Sequence, residues 1–395
     1  MIRPTVARVD LDALKTNYRQ IVAHLEHERP ERPPRPIAVV KANAYGHGAP
    51  QVARALEDAG ADLLACADIE EGAALRDAGV RAEILVFGAL SVSDLDGLFD
   101  CRLTPTISTP GAARAVQDAA STRGQRLRYH LKIDTGMNRL GFRYDNLERT
   151  LPELLAGENL ELAAVYTHFA TADDPVSPLF DAQRTRFERA LETITDIHRR
   201  NRGTRRENGG PAGSAAFAPG VPWVHAANSA AVLRDSRVWY DRVRPGLLLY
   251  GLVPPPLTST LSLRPALSLT SRIVAVKGIR SGEGVGYGVR FTADGPRTIA
   301  IVPAGYADGL DLRLAGRGHV LIRGRRAPIV GSVCMDMLMA DVTGLDVSPG
   351  DEVVIIGAQG DDRIDAREMA AQIGTIPYEI LSRIGSRIER VYEDE

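Results

Sequence analysis

What most constrains this chain is an alternation that begins at residue 37. Apolar, strand-like runs recur at 37–42 (IAVVKA), 63–67, 82–88, 103–108, 127–134, 160–169, 223–229 and 243–251. Helical patterns separate most of them, among them 49–61, 70–80, 112–120 and 180–201. Strands that are apolar on both sides and alternate with helices build a parallel sheet covered on both faces. The fold class is therefore α/β. Eight such units in roughly 215 residues predict a closed (β/α)8 TIM-type barrel, with an open doubly wound sheet as the structural alternative.

The pattern breaks at VPPPLTSTLSLRP (253–265). Beyond it the chain is mostly β: short apolar runs bounded by Gly, Asp and Pro, with one late helical stretch at 366–374. The chain thus divides into a barrel domain, 1–252, and a mostly β C-terminal domain, 253–395. The first strand, near 5–10, is placed to pair with the β domain. Two stretches look like surface loops, 28–36 and the Gly-, Ala- and Pro-rich 202–220, the latter expected to be a disordered excursion outside the barrel.

A formal net charge of −2 gives no electrostatic reason to expect nucleic acid or anionic lipid as a partner. No apolar stretch is long enough to cross a membrane. The N-terminus has no apolar signal core. Three scattered cysteines, Cys66, Cys101 and Cys334, form no metal-binding pair and fit a reducing cytoplasm. No metal site is expected.

Catalytic groups of such a barrel lie at the C-terminal ends of its strands. Here those ends carry Lys41 (strand 1), Lys132 and Asp134 (strand 5, with Arg139 just beyond), His168 (strand 6), Asn228 and Ser229 (strand 7), and Arg244 and Gly246 (strand 8). Loops after strands 7 and 8 commonly hold phosphate. A lysine rising beside such a site suits an aldehyde cofactor, because desolvation and neighbouring cations free its amine. Pairing with a rim carboxylate is the plainer alternative. Tyr45, in the YGHG a few residues beyond Lys41, can reach a phosphate oxygen.

AVVKANAYGHG (38–48) resembles the pyridoxal-phosphate attachment motif of alanine racemases. So, in order, do HLKIDTGMNRLGF (130–142), YTHFATAD (166–173), HAANSA (225–230), VRPGLLLYG (243–251), GEGVGYG (282–288), PAGYADG (303–309), GSVCMDM (331–337) and IPYEI (376–380). The resemblance implies pyridoxal 5′-phosphate as cofactor and Lys41 as its Schiff-base lysine. It implies that Tyr45, Ser229, Gly246 and Tyr378 hold the phosphate, with Asn228 nearby. Arg139 would meet the phenolic oxygen and the substrate carboxylate, and Arg244 the ring nitrogen, with His168 behind it. Tyr287 would be the second catalytic residue. Tyr306, Met335 and Asp336 would line the substrate site, Met335 and Asp336 from a partner subunit. Lys132 would be carbamylated. The implied unit is a homodimer with shared active sites, converting L-alanine and D-alanine in the cytoplasm for peptidoglycan.

Racemisation removes a proton from one face of the α-carbon and returns one to the other, which two opposed bases achieve directly. Lys41 and Tyr287 fit those roles. A tyrosine, with a reference pKa of about 10, needs cationic neighbours to act as a base. Arg244 is a permanent donor, so the ring nitrogen opposite it should stay unprotonated. The family's usual arginine and glutamine are replaced by Leu312 and Met337, which bears on substrate range. A racemase of serine or of broad specificity is the main competing reading. A decarboxylase on the same barrel and a cofactor-binding single barrel are more distant ones.

Overall fold

The computed structural model describes residues 4–90, 94–206 and 222–394. Nine parallel strand segments form the continuous path of one sheet, and Phe142–Arg143 pairs beside Leu127–Asp134 off that path. Its order is Arg35–Pro36 (β2), Arg242–Arg244 (β10), Trp223–Asn228 (β9), Leu160–Tyr166 (β8), Leu127–Asp134 (β7), Thr104–Ile107 (β6), Glu83–Val86 (β5), Leu63–Cys66 (β4) and Ala38–Val39 (β3). The two outermost segments are halves of one run interrupted at Ile37. Ile37 N–H donates to Val243 O (2.7 Å) and Val39 N–H to Pro245 O (3.2 Å), so the sheet closes on itself. That closure excludes the open doubly wound alternative.

The strands read as they do because both faces are covered. Every residue of LLAC in β4 and TPTI in β6 is buried. The outer helices present one apolar stripe each. In Leu11–Glu28 (α1) the stripe is Ala13, Leu14, Tyr18, Ile21 and Leu25, a spacing of three and four. Asp10 starts that helix by accepting from Ala13 N–H at 2.7 Å. Asp68 does the same for Ile69–Asp77 (α2).

Val6–Asp10 (β1) lies outside the barrel. It pairs antiparallel with Leu267–Arg272 (β11) and parallel with Glu389–Glu393 (β17). The sheet continues through Glu352–Gln359 (β16), His319–Ile322 (β14) and Arg325–Pro328 (β15). A second, antiparallel sheet joins Ala275–Ile279 (β12), Arg297–Val302 (β13) and Leu338–Asp341. A small hairpin pairs Gly284–Val285 with Phe291–Thr292.

Several expected boundaries move. The strand expected at 37–42 stops at Val39, and Lys41 opens a turn. The run 243–251 is strand only to Arg244, because Pro245 accepts from Val39 but has no N–H to continue the ladder, and turns follow. The strand expected over 160–169 ends at Tyr166, so His168 sits in the loop beyond it. The helix from Leu179 continues to Arg206, so the first residues of the expected loop 202–220 are helical; most of that loop lies outside the described residues. The β domain holds a second helix, Pro377–Ser382 (α8), after Ala366–Ile373 (α7). Its Pro377 occupies the first helical position, where the missing N–H costs nothing.

Candidate active site

At the C-terminal mouth of the barrel lies a cavity of ≈ 420 Å³. Lys41, Tyr45, Lys132, Arg139, His168, Asn228, Ser229, Arg244, Gly246 and Tyr378 all line it. Apart from Asp134, every barrel residue singled out from the strand ends and the motifs is therefore brought to one place. Tyr378 joins them from α8 of the same chain.

Lys41 does not ride on a strand. It opens a turn in which Ala42, Asn43, Ala44 and Tyr45 all have φ between 50° and 53°. Left-handed helical backbone costs L-residues about 1–2 kcal/mol each, and such strain concentrates at functional sites. The winding presents both Lys41 and Tyr45 to the cavity. Gly46, also left-handed at φ 81°, could not be replaced freely: an added Cβ would lie 2.2 Å from Leu381 O.

The prospective phosphate end is built from close approaches. Gly246 N–H donates to Ser229 Oγ at 2.8 Å. A Cβ on residue 246 would lie 2.6 Å from Tyr45 Oη, so glycine alone leaves that hydroxyl in place. The Tyr45 ring meets Tyr250 edge-on (4.9 Å between centroids) and Tyr378 at 5.6 Å. Burial pushes the Tyr45 phenol far up and the Tyr378 phenol to about 12, so both are neutral donors near pH 7.

Arg244 is 4% exposed. It donates to Thr167 O (2.8 Å) and Ala226 O (2.7 Å), and lies against His225 Nδ1 (2.7 Å) and His168 Nδ1 (3.2 Å). Arginine only donates, so both Nδ1 atoms accept and each imidazole carries its proton on Nε2. His225 Nε2–H then donates to His130 Nδ1 at 3.1 Å, which leaves His130 Nε2–H buried without a partner. Burial, then the Arg244 charge, holds His168 and His225 well below an ordinary histidine. Tyr166 stacks on His225 at 4.6 Å and 10° between planes. His168 thus stands behind Arg244 as expected. His225, His130 and Tyr166 were missed, although all three sit inside or at the edge of the family-like motifs.

Four cations line the cavity: Lys41, Lys132, Arg139 and Arg244. Among the described residues none has a carboxylate within ion-pair distance. Asp134 does not pair with Lys132; its Oδ1 accepts from Gly136 N–H (3.0 Å) and Asn138 N–H (3.1 Å). Burial, with Arg139 and Arg244, lowers Lys132 to about 8. Burial and then Arg139 lower Lys41, with Glu71 opposing. A pocket holding this much unbalanced positive charge fits a ligand with several anionic groups, and a phosphorylated aldehyde carries them.

The remaining candidates lie elsewhere. Tyr287 is 77% exposed, at the tip of the small hairpin, and lines a different depression. A Cβ on Gly286, before it, would meet Met339 Cε at 2.8 Å. Tyr306 N–H donates to Cys334 O (2.9 Å) and Ala307 N–H to Met335 O (3.0 Å), which ties those two segments together. Tyr306, Leu312, Met335 and Met337 are all exposed there. Asp336 pairs with Arg387 at 2.6 Å.

Comparison with known proteins agrees over the full chain. The family model for the alanine racemase N-terminal domain matches residues 9–205 and 212–254, and that for its C-terminal domain matches 266–392. An alanine racemase of Carboxydothermus hydrogenoformans is 41% identical, over 99% of this chain and 100% of that protein. One of Symbiobacterium thermophilum is 39% identical, over 100% and 98%. The solved alanine racemase of a D-cycloserine-producing Streptomyces lavendulae superposes with TM-score 0.89 at 32% identity, covering 100% and 98% of the two chains. That of Bacillus anthracis, with bound L-Ala-P, gives 0.84 at 36%, covering 100% and 96%.

Proposed function

The chain belongs to the alanine racemase family, and from that premise we propose that it interconverts L- and D-alanine on pyridoxal 5′-phosphate, with Lys41 and Tyr287 as opposed proton carriers. The observation that carries this reading is the set of four cations around one cavity, none paired with a carboxylate among the described residues. When bound, the cofactor supplies an aldehyde for the amino group and a ring that draws electrons from the α-carbon.

Tyr45, Ser229, Gly246 and Tyr378 hold the phosphate, with Asn228 beside them. Arg139, which has no ion-pair partner among the described residues, takes the phenolic oxygen and the substrate carboxylate. Arg244 donates and cannot accept, so it opposes protonation of the ring nitrogen. His168 fixes Arg244 from behind. That arrangement favours exchange of the α-proton over transamination and decarboxylation. Lys41, its basicity reduced by burial and Arg139, holds or releases a proton at Nζ on one face. The neutral fraction of Lys132 adds to CO2, loses a proton and becomes a carbamate anion between Arg139 and Arg244.

Tyr287 serves the other face from a second copy of this chain. Its absence from the Lys41 cavity supports this, as does the exposed apolar cluster of Tyr287, Val289, Tyr306, Leu312, Met335 and Met337. Monomeric proteins rarely expose such a patch without a partner. Tyr306, Met335 and Asp336 then line the substrate side. Three free cysteines support a cytoplasmic setting, where D-alanine would feed peptidoglycan. Broader specificity, serine included, has one observation in its favour: Leu312 and Met337 stand on that same exposed face.

Mixing two inactive variants tests the reading. A dimer of Lys41→Ala with Tyr287→Phe contains one dead site and one intact site. If sites are shared, the mixture should regain roughly a quarter of wild-type racemase activity at random pairing. No recovery on mixing, with dimers present, rejects the shared site.

A further inference from the structure

We propose that Glu71 is a positioning residue whose carboxylate holds the left-handed turn that presents Lys41 and Tyr45. The inference rests on reading Lys41 as the cofactor lysine.

A left-handed turn leaves its outward N–H groups to partners outside it. Asn43 N–H, in the middle of the turn, donates to Glu71 Oε1 at 3.2 Å. Glu71 Oε2 accepts from Ala67 N–H at 2.8 Å, just past the end of β4. The carboxylate therefore bridges the strained turn to a barrel strand, one oxygen for each side. Glu71 stands in the first turn of α2, which Asp68 caps, so its backbone is fixed independently of the turn.

The turn is otherwise tied upstream through Ala44 N–H, which donates to Val40 O at 2.8 Å, and on its downstream side. Asn43 Oδ1 accepts from Ala49 N–H (2.8 Å), Asn43 O from Gly48 N–H (2.9 Å), and Gly46 O from Arg390 (3.1 Å). None of these holds the N–H that faces α2. Among the described residues Glu71 makes no ion pair, so its charge is not spent on a cation. It acts on Lys41 in the opposite sense to Arg139 and Arg244. A glutamine at this position would offer one acceptor where two are used.

The test uses the full chain and pyridoxal 5′-phosphate itself as the probe. Its dissociation constant and the visible circular dichroism of the bound cofactor are measured for wild type, Glu71→Gln, Glu71→Ala and Glu71→Ala with Ala42→Gly. Glu71→Ala should weaken binding about tenfold and reduce the visible dichroism. Glu71→Gln should fall between it and wild type. Glycine adopts positive φ without strain, so Ala42→Gly should restore most of the loss; a purely electrostatic or generally structural role would not be rescued this way. Unchanged binding in Glu71→Ala, or no rescue, overturns the proposal. Amide hydrogen exchange at Asn43 gives a readout independent of cofactor: protection should drop in both Glu71 variants and persists if Glu71 does not hold the turn. Wild type that fails to bind the cofactor rejects the cofactor reading instead. Should Glu71→Ala not fold, Glu71→Gln decides by the same two measurements.

Discussion

The barrel mouth and the β-domain hairpin invert each other's design. At the mouth, polar groups are buried and fixed: Arg244 is 4% exposed and touches four acceptors. At the hairpin, an apolar ring stands free: Tyr287 is 77% exposed, and its backbone carbonyl accepts from Ser332 Oγ at 2.7 Å. Buried polar groups need partners within the chain, whereas exposed apolar groups gain by meeting another surface. The difference is that one copy gathers its buried cations around a pocket while Tyr287 lines a separate, exposed depression.

The largest test of that contrast is Lys41→Ala, which should lower kcat about 10⁴-fold or more and abolish reductive trapping of the cofactor on the chain. Trapping that survives the substitution would place attachment elsewhere. Tyr287→Phe should cost about 10²–10⁴-fold in kcat while leaving cofactor affinity intact, because only a hydroxyl is lost and none of the side chains lining the Lys41 cavity changes. A weakened affinity would blur the distinction between the two regions.

Arg244→Ala removes donors from two carbonyls and two imidazoles at once. It should destabilise the fold by about 3 kcal/mol or more, read from urea midpoints; an unchanged midpoint would mean water replaces the guanidinium.

Acid sharpens the comparison further, because the barrel side buries neutral histidines. Burial holds His47 at about 4, against two backbone hydrogen bonds that raise it; burial and then Arg128, Arg242 and Arg244 hold His130 at about 3. Below about pH 6.5 the unfolded chain takes up protons that the folded chain refuses until pH 4 to 3. Stability should be full above about 6.5 and fall by about 3–5 kcal/mol per histidine by the time the folded chain protonates. His130→Gln should flatten that slope; an equally steep decline would exclude His130 as its source.

The smallest effect expected is at Gly246→Ala, where the new methyl displaces the Tyr45 hydroxyl. Cofactor affinity should fall about tenfold with little change in kcat.

Much of this was legible in the sequence, for physical reasons that differ by element. Strands buried on both faces must be apolar, so LLAC and TPTI declared themselves and the parallel barrel followed. Lys41, Ser229 and Arg244 stood out because charged or polar groups at the ends of such runs have no packing reason to be there. The Lys41 turn was not legible. Ala42 and Ala44 look like ordinary continuations of a strand or helix, and only surrounding contacts force their backbone into the left-handed region. Glu71 was hidden for the same reason, as one acid among several in the first turn of a helix.

The sequence by itself determined the barrel, the second β domain, and which side chains gather at the strand ends, because burial imposes periodicity that neighbouring residues must obey. Only the tertiary structure decided that the barrel closes through Ile37 and Val39, that Arg244 fixes a run of neutral histidines, and that Tyr287 lines a different depression from its own Lys41. Those outcomes depend on contacts between residues tens to hundreds of positions apart, and no local pattern records them.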